Sequence, residues 1–397
     1  MGKRYPLHLY FAGAVAARAG DEMSGPALML AGFALAGSTG DASSLLAGIT
    51  ISAALGGPVL GALLDRAGRP GRLLAGALVL YAAGLGTILV GLGRSPFAVI
   101  LLIAVVTGLL GAALSGGWTA QLPRVALGDR LPRATALDAM TFGVASLAGP
   151  ALAGGVAETL GAPTAVVVSV VLIALALPAA WMLPARPGPA RGTRTTSVIG
   201  DLAAGMRVIV RRRSLARATL TSVVSCIAHG MLTACLPLLG ERVLGGAGRG
   251  ALLLSCAAVS ALVANAVLAR FPRSAAPDTI IWASALVQAA ALALAMWGQP
   301  VVLVVAVLMA GIGEGPRLAA LFAVRHREAP ERLRGQIFTT GASLKITGFA
   351  LGAAVAGPVV ARSLPGALAL AASVAVLAAV AFFAIPAVRP RPPDDRP

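Results

Sequence analysis

Charge is scarce in this sequence. Only 12% of its 397 residues are Asp, Glu, Lys or Arg, against about 25% in a soluble globular domain. That excludes a water-solvated surface over most of the chain. Cysteine is nearly missing: Cys226, Cys235 and Cys256 all fall in apolar runs, where they read as small buried hydrophobes, not as a disulfide framework or a metal site. There is no His/Cys cluster at metal-ligand spacing. There is also no Gly-x-x-x-x-Gly-Lys loop to cradle a nucleotide phosphate. Neither a metal nor any other cofactor is expected, and any work the protein does has to draw on an ion or substrate gradient. No nucleophile–base pair is visible, which argues against an enzyme. Aromatic residues, at 4%, give too little to read a ligand from.

What is abundant is apolar sequence. Hydrophobic residues make up 58% of the chain and the mean hydropathy is +0.87. The 48 glycines and 26 prolines would signal disorder in a polar chain; in an apolar one they suit close helix packing and interrupted helices. A bilayer core needs about 20 apolar residues per helix. Spans of that length are expected at 7–36, 43–65, 71–93, 96–122, 135–160, 163–185, 215–243, 249–271, 278–298, 300–325, 335–362 and 366–386, separated by turn signals such as "RAGRPG", "LGRSP" and "LGGAGRG". The expected fold class is therefore an all-α polytopic membrane protein with twelve transmembrane helices. The first segment imitates a signal peptide, but Arg18, Asp21 and Glu22 interrupt it. An uninterrupted apolar region of 7–15 residues is the rule for such peptides, so it is read as an uncleaved first span.

The net charge of +17 could suggest nucleic acid, but its distribution does not. With both termini cytoplasmic, 25 of the 32 basic residues fall on the inner side, four on the outer side (Arg94, Arg242, Arg249, Arg362) and three within spans (Arg18, Arg317, Lys345). This satisfies the positive-inside rule and makes the charge an inner collar facing anionic lipid. The expected location is the bacterial inner (cell) membrane, with membrane lipid as partner and no nucleic acid.

The stretch 186–214 stands apart. "ARPGPARGTRTT" is polar, and Ile199, Leu202, Met206 and Val210 then recur at helical spacing beside Arg207 and Arg211–Arg213, a pattern for an amphipathic helix on the inner surface. It divides the chain into a six-helix bundle at 1–185, a basic linker at 186–214, a second six-helix bundle at 215–388 and a tail at 389–397. The halves share weak similarity at an offset of 208: Asp21 meets His229, Met23 meets Met231, and "AGP" at 148–150 meets "AGP" at 356–358. Duplicated halves are common in transporters.

The loop after the second span reads "GALLDRAGRPGR", with Gly61, Asp65, Arg66, Gly68 and Arg69. It resembles the G-x-x-x-D-R-x-G-R signature of the major facilitator superfamily. Gly61 permits close helix approach, and Asp65 at a helix end can accept from a neighbouring helix N-terminus. In that family the loop acts as a latch for one conformational state. "GPALAGG" at 149–155, with Gly149, Pro150 and Gly154, is similar to the antiporter motif of its efflux branches; packing around a Gly/Pro kink is the alternative. "RAGDEM" at 18–23 and "GDLAAGMRVIVRRRSL" at 200–215 resemble the macrolide- and siderophore-exporter branch. The fourth span has no arginine, unlike typical proton–drug antiporters, and the second half lacks the Asp of the loop signature.

Ionisable residues at membrane depth are the candidate site, because they are costly there. Arg18 lies three and four residues before Asp21 and Glu22, so either it neutralises one of them or the pair serves proton or substrate binding. Glu314 and Arg317 are three apart beside Gly313, Gly315 and Pro316; they form a packing pair or mark a broken helix that frees backbone groups. His229 is a lone buried histidine or a proton carrier. Lys345 counters a carboxylate or snorkels to the inner surface, the latter preferred. Asp138 and Glu158, near span ends, are expected to be wetted. The resemblance implies alternating access, small-molecule cargo and a monomer. The first reading is proton-coupled efflux of small amphipathic molecules. Import or facilitated diffusion of a metabolite is the alternative in transport, and a non-transporting receptor or assembly partner is the alternative outside it.

Overall fold

In the computed structural model the described residues are 5–36, 39–185, 198–245, 249–271, 275–386. The polar part of the linker, 186–197, and the tail lie outside them. Long helices dominate: α1 (Leu7–Ala36), α2 (Thr39–Arg66), α3 (Pro70–Gly91), α4 (Phe97–Gly108), α5 (Leu131–Leu160), α6 (Ala162–Leu175), α7 (Arg213–Leu244), α8 (Arg249–Arg270), α9 (Pro277–Ala295), α10 (Pro300–Glu328), α11 (Arg334–Arg362) and α12 (Leu364–Ala384). A linker helix, Val198–Arg211, lies between α6 and α7. Among the described residues, eleven helical segments are apolar and long enough to cross a bilayer. The twelfth helix, α1, has the length, at 30 residues, but carries Arg18, Asp21 and Glu22 in its middle.

The fourth and sixth spans are not single α-helices. After α4 the chain passes into a π-helical turn, Ala113–Gly117. Gly116 sits there against the Phe338 carbonyl of α11 and Gly117 against Leu64. Glycines allow the backbone to be this close, and the wider turn re-aims the end of the span. The sixth span continues as a short helix, Leu177–Trp181. Of the two alternatives at Gly315-Pro316, the broken helix is absent: α10 runs through Pro316, as α5 does through Pro150. Neighbouring helices in lipid tolerate such prolines by re-satisfying the freed backbone groups.

The internal repeat is plain in the packing. α1 lies on α5 and α6, and α7 lies on α11 and α12; α2 lies on α4, and α8 on α10. Each pairing recurs six helices later. One apolar cluster is drawn from residues 10–183 and a second from residues 228–375. Small residues set the helix separations, as expected where lipid offers no hydrophobic drive between helices. Gly108 meets the Ile49 backbone, and Gly311 meets the Ala257 carbonyl.

The halves meet through two equivalent crossings, α2 with α11 and α5 with α8, together with α5 against α10. A separate apolar cluster spans this junction: Ala120, Ala136 and Ala139 from the first half, Ala269, Ala319, Phe322 and Phe338 from the second. These residues sit toward the end that carries the arginine-rich loops. The protein is therefore closed at that end.

Candidate functional site at the centre of the bundle

Arg18 does not serve the two acids of its own helix. It reaches across to α5, where its guanidinium forms an ion pair with Asp138 at 3.0 Å and hydrogen bonds to the Asp138 carbonyl (3.0 Å), Thr119 (2.7 Å) and Thr141. Asp138 in turn accepts from the hydroxyls of Thr119 (2.8 Å) and Tyr10 (3.1 Å). The guanidinium also lies 3.7 Å from the centre of the Phe142 ring. Side-chain exposure is 2% for Arg18 and 0% for Asp138, which corrects the expectation of a wetted Asp138. The residue is near the start of α5, but α1 and the end of the fourth span bury it. A buried pair of this kind is kept by its hydrogen bonds; Coulomb attraction alone does not repay desolvation.

Asp21 and Glu22 are thereby left without an arginine. Asp21 points toward α3, where the Tyr81 hydroxyl donates to it at 2.9 Å; Ser24 and Tyr81 hydroxyls are 2.9 Å apart. Glu22 turns to the other side. The Ser146 hydroxyl of α5 donates to it at 3.3 Å, and Gly149 brings the α5 backbone against Glu22 and Met23. Glu22 is exposed, though it lies midway along α1. It is also within electrostatic reach of Lys345 on α11. Exposed at mid-span yet facing helices of both halves, Glu22 opens onto the space between them.

The second half contributes the opposing wall. Glu314 and Arg317 form the expected i,i+3 pair on α10, with Arg317 buried and also donating to the Ser222 carbonyl of α7 at 3.4 Å. His229 is partly exposed, its ring 5.8 Å from that of Phe349. Lys345 is in electrostatic reach of Glu314, His229 and Glu22. That proximity favours the carboxylate-countering alternative over snorkelling, although Lys345 is only partly buried and no ion pair joins it to an acid among the described residues. Arg18, Asp21, Glu22, His229, Glu314, Arg317 and Lys345 therefore do not form a single cluster. Arg18 belongs to a buried network with Asp138; Glu22, His229 and Glu314 gather in electrostatic reach of Lys345, Asp21 faces Tyr81, and Arg317 is buried beside Glu314.

The loop signature builds a contact between the halves. Asp65 lies at the end of α2, buried. Its Oδ1 accepts from the Gly335 N–H at 2.9 Å and its Oδ2 from the Gln336 N–H at 2.8 Å. These are free donors of the first turn of α11, where negative charge is favoured. Gly61 lets α2 touch Gln336 and Thr339. Arg66, still partly exposed, pairs with Asp201 of the linker helix at 2.7 Å. Gln336 donates to the Leu202 carbonyl of that helix at 3.0 Å. The linker helix therefore rests on the α2–α11 contact. Ile209 and Gly205 turn inward, while Met206 and Val210 of the apolar stripe stay exposed. Gly68 and Arg69 are exposed. In the second glycine motif, Gly149 makes a tight contact, whereas Gly154 has open space beside it.

Sequence reasoning did not single out Tyr81, Ser24, Ser146, Thr119 or Thr141. Tyr81 had one signal, a lone tyrosine inside an apolar span. The serines and threonines had none, because such residues recur throughout membrane helices.

A twelve-helix bundle of two repeated halves, closed at one end and holding acids at its centre, is the architecture of a membrane transporter. The chain belongs to the Major Facilitator Superfamily, whose profile matches residues 10–342. A MFS-type transporter of Sinorhizobium fredii (strain NBRC 101917 / NGR234), named y4rN and described as uncharacterized, is 29% identical over 305 residues, covering 74% of this chain and 73% of that protein. Among solved structures, the human organic anion transporter MFSD10 (TETRAN) superposes with a TM-score of 0.77 at 17% identity over 96% of this chain and 100% of that one. A bacterial homologue of the iron transporter ferroportin, in an outward-facing state, does so with 0.77 at 14% identity over 95% and 98%. At these identities the structures share the fold. The protein is a multi-pass MFS membrane transporter.

Proposed function

We propose that this transporter exports small amphipathic molecules by alternating access, driven by protons moving inward. The observation that carries the reading is the engagement of Arg18 by Asp138, which leaves Asp21 and Glu22 as carboxylates without an adjacent arginine. A spare acid that opens onto the central space can exchange a proton with one side and then the other. Intramembrane acids are functional by default because they are expensive to keep.

In this reading the bundle opens to the side opposite the arginine-rich loops. The positive-inside rule makes that side external and both termini cytoplasmic, in a bacterial cell membrane. Protonation of Glu22 or Asp21 from outside releases cargo and relaxes the attraction of Glu22 to Lys345 across the halves. The Asp65 contact then opens, and the proton leaves inward as new cargo binds. Glu314, already matched by Arg317, tunes the field at His229 and Lys345. The working units are the bundles at 1–185 and 215–388, joined by the linker, in a monomer.

The test is growth of a host stripped of its own exporters on a panel of toxic compounds. The native chain is compared with Asp21→Asn/Glu22→Gln at matched membrane levels. Protection lost in the variant supports the reading; protection by both removes the two acids from coupling; no protection favours import of a metabolite.

A further inference from the structure

Away from the centre, an outer face is formed by α3 and the short helix Leu177–Trp181 that continues the sixth span. Two adjoining hollows there share Arg72 and Trp181. One is polar and lies at the arginine-rich end, lined by Arg69, Arg72 and Trp181. The other is an apolar groove of about 690 Å³ that runs up α3 past Gly76 and Leu80, with Leu177 and Met182 on its far wall. Arg72 lies 5.1 Å from the centre of the Trp181 ring, so the two residues form the sill between the hollows.

The charge at this sill has no counterpart. Neither Arg69 nor Arg72 takes part in an ion pair among the described residues. The acids nearby are already engaged, Asp65 by the N–H groups of α11 and Asp201 by Arg66. Both arginines are exposed, one turn from where the apolar surface of α3 begins. Along α3, from Arg72 to Leu80, the groove spans about 12 Å, close to the roughly 15 Å depth of one leaflet's hydrocarbon. Gly76 keeps it open: a Cβ there would meet nothing within 4 Å. Cationic pockets between spanning helices at the inner surface fit anionic headgroups, and an interfacial Trp belongs at headgroup level.

We propose that this groove docks an anionic phospholipid of the surrounding bilayer, its phosphate on Arg69 and Arg72 and one acyl chain lying along α3 beneath Trp181. The inference is independent of transport direction. It links lipid composition to the α2–α3 loop, whose other end holds the Asp65 contact.

The experiment is native mass spectrometry of the purified full chain with phosphatidylglycerol or phosphatidylcholine at equal concentration. The native protein should retain phosphatidylglycerol preferentially. Arg69→Gln/Arg72→Gln should lower that retention roughly 25-fold, at about fivefold per arginine near a headgroup. Gly76→Trp fills the groove from open space while leaving both arginines in the chain, and should lower it several-fold. Soluble glycerol phosphate should not compete. Equal retention of the two lipids, or indifference to either variant, overturns the proposal. So does competition by glycerol phosphate with Gly76→Trp silent, which would reduce the site to an anion patch.

Discussion

Replacing Asp65 should unlatch the closed end. Its carboxylate takes two backbone N–H groups of α11, at 2.9 and 2.8 Å, in a site only 4% exposed. Hydrogen bonds to a charged group contribute about 1.5–3 kcal/mol each, net of water. The pair therefore holds this conformation by about 3–6 kcal/mol relative to one in which both partners are hydrated. Asp65→Ala should shift the equilibrium toward the opened form by roughly 10² to 10⁴. Asp65→Asn keeps one acceptor and should fall between. Spin labels at Gly68 and Arg332, both exposed and in opposite halves, report the separation by pulsed electron paramagnetic resonance. The native protein should give one short distance, the Ala variant a dominant longer one, and the Asn variant both. An unchanged distance in Asp65→Ala would refute the reasoning, because it would mean the apolar cluster alone sets the state.

Asp138→Asn leaves the buried Arg18 guanidinium uncompensated and should cost about 3–5 kcal/mol of stability, read as a lowered thermal midpoint in detergent. Arg18→Leu/Asp138→Leu should recover most of it, since an apolar pair carries no unpaired charge. Gly61→Leu places side-chain atoms against Gln336 and Thr339 and should give the same longer spin-label distance as Asp65→Ala. Glu22→Gln removes an accessible carboxylate and should change stability by no more than about 0.5 kcal/mol, whereas Glu314→Gln strands the buried Arg317 and should lower the thermal midpoint along with transport. A matching loss of stability in both would contradict the different surroundings assigned to the two glutamates.

Much of this arrangement was legible from residues alone. Bilayer length and turn chemistry placed the helix ends within a few residues, because apolar run length is a physical requirement in lipid. The Asp65–α11 contact followed from an acid at a helix end beside a helix N-terminus. What escaped was partner choice. Helical spacing offered Arg18 the acids at i+3 and i+4, yet Asp138, 120 residues away, takes it, because α1 and α5 cross at that depth. Asp138 was misread for the same reason: α1 and the end of the fourth span pack over it, with Tyr10, Arg18 and Thr119 as its partners. The prolines left two readings open, since in lipid the surrounding helices absorb a break that would be decisive in water. The linker helix kept its position and length; its contacts to Arg66 and Gln336 were not legible, because they depend on how α2 and α11 meet.

The most direct test of the central idea is proton movement in proteoliposomes, with a pH indicator trapped inside and an imposed inward gradient. A compound against which the native chain protects cells is added on the inner side. The account predicts cargo-dependent acidification of the lumen by the native protein and none by Asp21→Asn/Glu22→Gln, although both assemble equally. Cargo movement that persists in the variant, or proceeds in the native protein without any proton flux, would contradict it.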